Sequence, residues 1–397
     1  MTTITQSLLD HLGSRNPMLD VSRCRPGRNT TSRRTPWTNP GLIEEWNDFE
    51  CDALNKIYGG VLRETLDHQL ATERVTVPHL PFCEIHDEKS FESIVVLWNH
   101  TVVSKALEAT YDRLKDRLPL DKVYMCLGGQ AQLPCTGRRP DWAGVKRSTV
   151  STDVPEAKSR NILPGDTKVS SKWSSTDIEH GVVEEAKKKL DWIQPLGQVY
   201  TYCVRANARY GYVITAEELV VFRIRPSLEC STDSPSCADL GSLKAMDPKI
   251  NIEKLKALNL TNGTPAERAE ANGTLEFKAI PWAHHFQNPH GDCRVMTVNL
   301  ALWWLHMMAA ENSFIEERYP PLKDAVWSPR PQSQSASVTS SDRLRPALAK
   351  KTNNRRAGAP SLGPKRRDRK RPREMIGDTA FTGQHASPQK RRTRRHV

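Results

Sequence analysis

The sequence has no apolar run long enough to cross a membrane. Its most apolar stretch, residues 295–310, is interrupted by Thr297, Asn299 and His306, whereas a spanning helix needs roughly 18 or more consecutive apolar residues. The opening residues MTTITQSLLDHLGSR also lack the basic start and the sustained apolar segment of a secretory signal. These absences predict an intracellular protein with no membrane partner.

Paired cysteine and histidine motifs are missing as well. The nine cysteines are scattered, and none belongs to a Cys-x-x-Cys pair, which is a spacing typical of structural zinc sites and redox motifs. The segment HHFQNPHGDC, residues 284–293, has histidines and a cysteine but no second half to complete a tetrahedral zinc site. We therefore expect reduced thiols and no structural zinc.

Hydrophobic residues are scarce, and most of the chain has no excess of positive charge. Hydrophobic residues make up 37% of the sequence, a low content that predicts a folded core joined to solvated segments. The net charge of the chain is +12, but residues 328–397 alone hold 19 Lys and Arg against 4 Asp and Glu, a net charge of +15. The first 327 residues therefore have a net charge of −3.

Composition divides the chain into three regions. Residues 1–40 are predicted to be a disordered N-terminal arm, rich in Pro, Arg, Ser and Thr beyond a short apolar patch. Residues 41–327 are predicted to form the folded domain. Residues 328–397 are predicted to be a disordered basic tail, because they contain too few large apolar residues to offset the entropy cost of ordering.

The tail contains two dense basic clusters. Such runs are typical of nuclear-import signals and of contacts with nucleic-acid phosphates, so we expect a nuclear protein that binds an import receptor and nucleic acid. A solvated tail without a partner is the alternative. The basic residues of the clusters are Lys365, Arg366, Arg367, Arg369, Lys370, Arg371, Lys390, Arg391, Arg392, Arg394 and Arg395.

Hydrophobic periodicity predicts an α/β domain. Two β-rich apolar runs separated by Ala216-Glu217-Glu218 predict a hairpin. The predicted helices cover 41–70, 91–118, 177–193, 195–208 and 292–312, and the predicted strands cover 123–127, 142–145, 162–169, 210–215, 219–224 and 275–282.

Three charged residues in this pattern indicate a candidate metal-binding and catalytic site. Side chains alternate along a strand, so Asp166 and Lys168 share one face while Thr167 points to the other. If the strand that follows Asp141 pairs beside them, two carboxylates and one ammonium converge at one end of the sheet. Two carboxylates with open positions suit Mg²⁺ or Mn²⁺, and the backbone carbonyl of Thr167 could supply a further ligand. Such a site has the minimum apparatus for hydrolysing a phosphodiester.

The same residues carry a resemblance to a known family. The phrases PDWAGV and LPGDTKVSSKW, followed by Gln198 and ARYGYVITAEELVVF, stand in the order helix, strand, Pro-Asp strand, Asp-x-Lys strand, helix, strand. This order resembles the PD-(D/E)XK nuclease superfamily, and more narrowly its fungal nuclease-like proteins. The resemblance covers residues 90–225 well and 41–325 loosely. It implies a restriction-endonuclease-like mixed central sheet flanked by helices.

The resemblance also implies residue roles. Asp141 and Asp166 look like the metal-binding carboxylates, and Lys168 looks like the catalytic lysine. Gln198 matches the polar residue that such folds place near the site. The acidic residue that many members contribute from the first helix would be Glu92 or Glu108, and Trp98-Asn99 resembles the family's Trp-Asn element.

Three functions are consistent with these patterns. The first is a nuclear, Mg²⁺-dependent nuclease, and the second is a catalytically inactive nuclease-fold protein that binds nucleic acid or acts as a scaffold. The third is an interaction protein in which Asp141 caps a turn, Asp166 and Lys168 form a solvated ion pair, and Gln198 lies on a helix surface. An acidic side chain from the first helix beside Asp141 and Asp166 would favour the nuclease.

Overall fold

The computed structural model describes a set of stretches that all lie within the compact unit Met1–Ala336. The described residues are 6–24, 37–64, 66, 83–115, 121–128, 139–147, 160–178, 181–182, 193–226, 263–286 and 291–324. The predicted disordered tail and both of its basic clusters lie outside them, as do residues 179–180 and 183–192 of the predicted helix over 177–193. That helix prediction is wrong at residues 181–182, which form a short strand of the sheet.

The described helices surround the sheet. Most α-helices begin at a polar N-cap, as at Asp87, Thr264 and Thr297, whose side-chain oxygens accept hydrogen bonds from backbone N–H groups of the first turn. The helices are α1 Leu8–Leu12, α2 Cys51–Arg63, α3 Glu88–Val95, α4 Thr101–Leu114, α5 Ile193–Ala206, α6 Pro265–Asn272 and α7 Val298–Glu311. A π-helical turn, Val96–His100, connects α3 to α4.

The described strands form one mixed sheet of eight strands. The strands are β1 Leu42–Glu45, β2 Lys122–Leu127, β3 Trp142–Arg147, β4 Gly165–Thr167, β5 Gly181–Val182, β6 Tyr210–Ile214, β7 Glu218–Arg225 and β8 Thr274–Pro281. Their order in the sheet is β2-β3-β4-β6-β7-β8-β1-β5. The pairs β4–β6 and β1–β8 are parallel, and the others are antiparallel.

The sheet is covered on both faces. Along β6, Tyr212 and Ile214 belong to a core formed with α1, α2, α3, α4 and α7, whereas Val213 belongs to a second core formed with α5 and α6. This alternation follows from the period of two along a strand. The fold-class prediction is confirmed as a mixed α/β sheet flanked by helices, and the predicted hairpin is β6–β7.

Helix α7 lies at the centre of the first core. Its residues from Val298 to Ala310 are buried, including both Trp303 and Trp304. None of the helices in the described parts of the chain combines the length and apolar character needed to span a membrane.

Two predicted helices begin later than the periodicity suggested. Residues 42–45 form β1, which pairs with β8 from Leu42 opposite Thr274 to Glu45 opposite Phe277, because the edge of the sheet offers backbone partners that a helix could not use. The helix follows only from Cys51. Likewise α7 starts at Val298 rather than near 292, because Thr297 caps its first turn.

The prediction of a disordered N-terminal arm is wrong for residues 6–24. Helix α1 buries Leu8 and Leu12 completely within the first core. Asn16 is buried as well, and its Oδ1 accepts hydrogen bonds from Nε1 of Trp98 at 3.0 Å and from Nδ2 of Asn99 at 3.1 Å. The short apolar patch is therefore a part of the core. Residues 37–40 are described as well, and the N–H of Thr38 donates to Oγ1 of Thr201 at 2.8 Å, while residues 1–5 and 25–36 of the arm lie outside the described residues.

We expect Leu8→Ala to lower the free energy of unfolding by about 2–4 kcal/mol, because it leaves a cavity in a closed core. Met18→Ala is the matched control, since Met18 is 73% exposed, and it should change stability by less than about 0.5 kcal/mol. Urea unfolding followed by circular dichroism measures both values. Equal stabilities for the two variants would mean that the N-terminal segment does not dock on the domain.

Candidate active site

The two predicted carboxylates lie side by side where β3 and β4 meet. Asp141 directly precedes β3, and the first residue of that strand, Trp142, pairs with Gly165 of β4. The backbone N–H of Thr167 donates a hydrogen bond of 2.9 Å to Oδ2 of Asp141, which holds this carboxylate against β4. Asp166, in the middle of β4, is almost completely buried.

Lys168 joins the carboxylates from the same face of β4. Its Nζ forms an ion pair with Asp166 and lies 3.4 Å from Oε1 of Glu88. Thr167 points to the opposite face, as the alternation of a strand requires. There its Oγ1 accepts a hydrogen bond of 2.8 Å from Nε1 of Trp142. The structure thus brings Asp141, Asp166 and Lys168 into one cluster.

Among the described contacts, Glu88 of α3 is the acidic residue that reaches the cluster, whereas those of the predicted Glu92 and Glu108 join other side chains. The carboxylate of Glu92 accepts a hydrogen bond of 2.6 Å from Nζ of Lys89. The carboxylate of Glu108 lies 3.1 Å from Nζ of Lys122. Helix α3 begins at Glu88, earlier than predicted, and reaches the cluster through its first turn.

Gln198 reaches the cluster from α5. Its Nε2 donates to Oδ1 of Asp166 at 3.2 Å and lies 3.0 Å from the hydroxyl of Tyr202, one helical turn further on. That hydroxyl donates to the backbone carbonyl of Arg139 at 3.4 Å, close to Asp141 along the chain. The predicted position of Gln198 beside the site therefore agrees with the structure, and Tyr202 supports it.

Sequence reasoning missed Glu88 and Tyr202. A signal for Glu88 was available, because Asp87 and Ser90 form a capping box in which Oδ1 of Asp87 accepts from the Ser90 N–H at 2.8 Å. That pair marks the true start of α3. The spacing of Gln198 and Tyr202 places them on one helix face, although it does not show which face meets Asp166.

Burial dominates the electrostatics of the cluster. It raises the pKa of Asp141 to about 7, with a further contribution from the neighbouring Asp166 carboxylate. Burial also raises the pKa of Asp166, against the opposing effect of Lys168. For Lys168, burial alone would lower the pKa, but the carboxylates of Asp166 and Glu88 outweigh it and raise the pKa. Lys168 therefore remains an ammonium.

The donor set suits a small divalent cation. With all groups ionised, Asp141, Asp166 and Glu88 carry three negative charges against the one positive charge of Lys168. A cation bound by oxygen would relieve this repulsion, and Mg²⁺ sites commonly use one or two carboxylates plus water. The carbonyl of Thr167, the other predicted ligand, accepts a hydrogen bond from Nζ of Lys168 at 3.2 Å.

A site of three or more metal-binding side chains is not found among His, Cys, Asp and Glu of the described residues. The candidate site accordingly has two carboxylate ligands, Asp141 and Asp166. In the described part of the histidine-rich segment, Nδ1 of His284 hydrogen-bonds the carbonyl of Met296 at 3.1 Å. His290 lies outside the described residues.

The raised pKa of Asp141 predicts how stability depends on pH. The folded-state pKa of about 7 lies above the ordinary value of 3.8, so this group favours folding at low pH and loses that contribution as pH rises through about 7. In EDTA, Asp141→Asn should therefore be more stable than the native chain by about 2–4 kcal/mol at pH 8. Near pH 4 the two should be nearly equal.

Thermal melts of both proteins between pH 4 and pH 8 measure this difference. Added Mg²⁺ should then stabilise the native chain mainly at high pH, because carboxylates must be deprotonated to bind metal, and it should stabilise the Asp141→Asn chain far less. A difference between the two proteins that does not change with pH would contradict a raised pKa at Asp141.

Comparison of the chain with protein-family models, with curated proteins and with solved structures finds no significant match.

Proposed function

We propose that the protein is a metal-dependent nuclease of the PD-(D/E)XK type, with a restriction-endonuclease-like domain, that hydrolyses phosphodiester bonds of nucleic acid. One observation carries the proposal: Asp141, Asp166, Lys168 and Glu88 meet where α3, β3 and β4 converge. The order α4, β2, β3 and β4, followed by α5 and β6 after the short strand β5, supports it, because apart from β5 this is the element order that the motifs predict.

Asp141 and Asp166 would hold Mg²⁺ or Mn²⁺, which would lower the pKa of a bound water and stabilise charge on the phosphate. The ammonium of Lys168 would orient the attacking water and stabilise the negative charge that develops on the phosphate oxygens. Glu88 positions Lys168, and Gln198 positions Asp166 through its hydrogen bond to Oδ1.

The reaction balances as a simple hydrolysis. A new bond forms between the phosphorus and the water oxygen, and the bond from phosphorus to one sugar oxygen breaks. The water loses a proton and the leaving sugar oxygen gains one. No further reactant is required.

A second function is favoured by the ion pair between Lys168 and Asp166. Both side chains are at most 5% exposed. A buried lysine paired with a carboxylate is also expected where the ion pair only stabilises the fold and takes no part in a reaction. In this alternative the domain is a non-catalytic nucleic-acid-binding or scaffold module of the same fold.

A cleavage assay separates the two functions. The purified full chain is incubated with single-stranded and duplex DNA and with RNA, in Mg²⁺, in Mn²⁺ or in EDTA. The nuclease proposal expects cleavage of at least one substrate with either metal and none in EDTA. Binding without cleavage in all conditions would support the non-catalytic alternative.

The partners and the location are also part of this proposal. The two basic clusters of the tail would bind an import receptor and the phosphates of nucleic acid, which makes the protein nuclear. The supporting observation is the concentration of positive charge in residues 328–397, with a net charge of +15.

A further inference from the structure

We propose that Cys51 and Cys293 are a site of reversible disulfide formation, in which a peroxide oxidises the two thiols and joins the start of α2 to the segment before α7. Their sulfur atoms lie 2.7 Å apart, and a disulfide bond is about 2.05 Å long. The two residues are separated by 242 positions in the sequence, so this proximity is created by the fold and not by a local motif.

The side-chain amide of Asn55 holds the backbone of Cys293 in place. Asn55, one helical turn after Cys51, donates from Nδ2 to the Cys293 carbonyl at 2.8 Å. Its Oδ1 accepts from the Cys293 N–H at 2.9 Å. Arg63, at the end of α2, forms an ion pair with Asp292. These contacts dock residues 292–293 along α2, so forming the bond requires only a small movement of the two side chains.

The two thiols differ in the way that a nucleophile and its resolving partner differ. Cys51 is partly exposed, and the hydrogen bond from the Cys293 thiol lowers its pKa. Cys293 is buried, and the same hydrogen bond raises its pKa. Because the thiolate is the reactive form, Cys51 is the group that meets an oxidant from solvent.

The chemistry balances with hydrogen peroxide as the oxidant. The Cys51 thiolate attacks one peroxide oxygen, the O–O bond breaks, and a sulfenic acid and hydroxide form. The Cys293 sulfur then bonds to the Cys51 sulfur, the S–O bond breaks, and hydroxide leaves. The hydroxides take up the two thiol protons, so two thiols and one peroxide give one disulfide and two waters.

The other partly exposed cysteine of the described residues provides a matched control. Cys126 lies on β2, and burial raises the pKa of its thiol. Cys126→Ser should therefore leave the oxidation of Cys51 and Cys293 unchanged.

Peptide mapping of the native full chain is the primary test, because it does not require any variant to fold. The chain is treated with hydrogen peroxide, free thiols are alkylated, and the digest is examined by mass spectrometry with and without a reductant. We expect one cross-linked peptide pair, Cys51 to Cys293, lighter than the sum of its reduced peptides by two hydrogen atoms and absent after reduction. Alkylated Cys51 and Cys293 after peroxide, or oxidation of Cys51 beyond the sulfenic acid with Cys293 still reduced, would overturn the proposal.

A thermal melt provides the second measurement. A bond that closes so long a loop restricts the unfolded chain, so the oxidised native protein should melt higher than the reduced protein by on the order of 5 °C. Cys126→Ser should show the same shift, and Cys51→Ser should show none. A shift that persists in a folded Cys51→Ser protein would assign the effect to other cysteines and overturn the proposal. None of these outcomes depends on nuclease activity.

Discussion

Replacing Asp166 by asparagine should reduce Mg²⁺-dependent cleavage by at least about 100-fold. Asparagine keeps the size of the side chain but removes the charge that would hold the cation and that pairs with Lys168. Glu92→Gln is the matched control, because Glu92 contacts Lys89 at the surface of the same helix that carries Glu88. This control should keep the native rate within a few fold.

Stability has to be measured alongside activity in this experiment. Removing one partner of a buried ion pair costs about 3–5 kcal/mol when the other charge is left alone, although Glu88 remains 3.4 Å from Lys168 here. The double variant Asp166→Asn with Lys168→Met removes both charges, so it should recover stability without recovering cleavage. Native activity in a folded Asp166→Asn protein would refute the role of this carboxylate in cleavage.

Truncation after Trp327 should weaken binding to non-specific duplex DNA by roughly 100-fold or more at low salt. The tail holds the net charge of +15, and the rest of the chain has a net charge of −3. Each phosphate that the protein neutralises releases counterions, so the full chain should show a steep fall in the logarithm of affinity with the logarithm of salt concentration. The truncated chain should show a flatter slope.

A titration of both proteins on one duplex across a range of salt concentrations measures the affinities and the slopes. The same truncation in a fluorescent fusion should move the protein from the nucleus to the cytoplasm if the tail carries the import signal. Unchanged affinity and slope would place the nucleic-acid contacts in the folded domain. Continued nuclear accumulation of the truncated fusion would refute the import role of the tail.

Strand periodicity was enough to predict the central part of the candidate site. Two consecutive alternations place Asp166 and Lys168 on one face, and the structure pairs them there. The neighbouring position of Asp141 followed from the assumption that β3 and β4 pair, which they do through Trp142 and Gly165. The first feature depends on neighbouring residues of one strand and the second on a single pairing between two strands. Hydrophobic and strand periodicity in the sequence is enough to predict features of this short range.

Reasoning from sequence patterns did not identify Glu88 as the acidic residue that α3 contributes to the site. Apolar periodicity identifies the buried stripe of α3 and α4 but does not show which polar residue of the first turn faces β4. Glu88 and Glu92 are one helical turn apart and both are acidic, so they are equivalent in sequence terms. Only the packing of α3 beside β4 identifies Glu88, whose Oε1 lies 3.4 Å from Nζ of Lys168.

The sequence by itself determined the α/β class, the β6–β7 hairpin, the order of elements around the Asp and Lys motifs, and the concentration of positive charge in the last seventy or so residues. Only the tertiary structure decided that Leu8 and Asn16 belong to the core, that Glu88 and Gln198 meet at Lys168 and Asp166, and that Cys51 lies against Cys293. The physical reason is the range of the interactions. Propensity and periodicity act over a few residues, whereas these contacts join residues from about 30 to 242 positions apart and exist only once the sheet and its helices have packed.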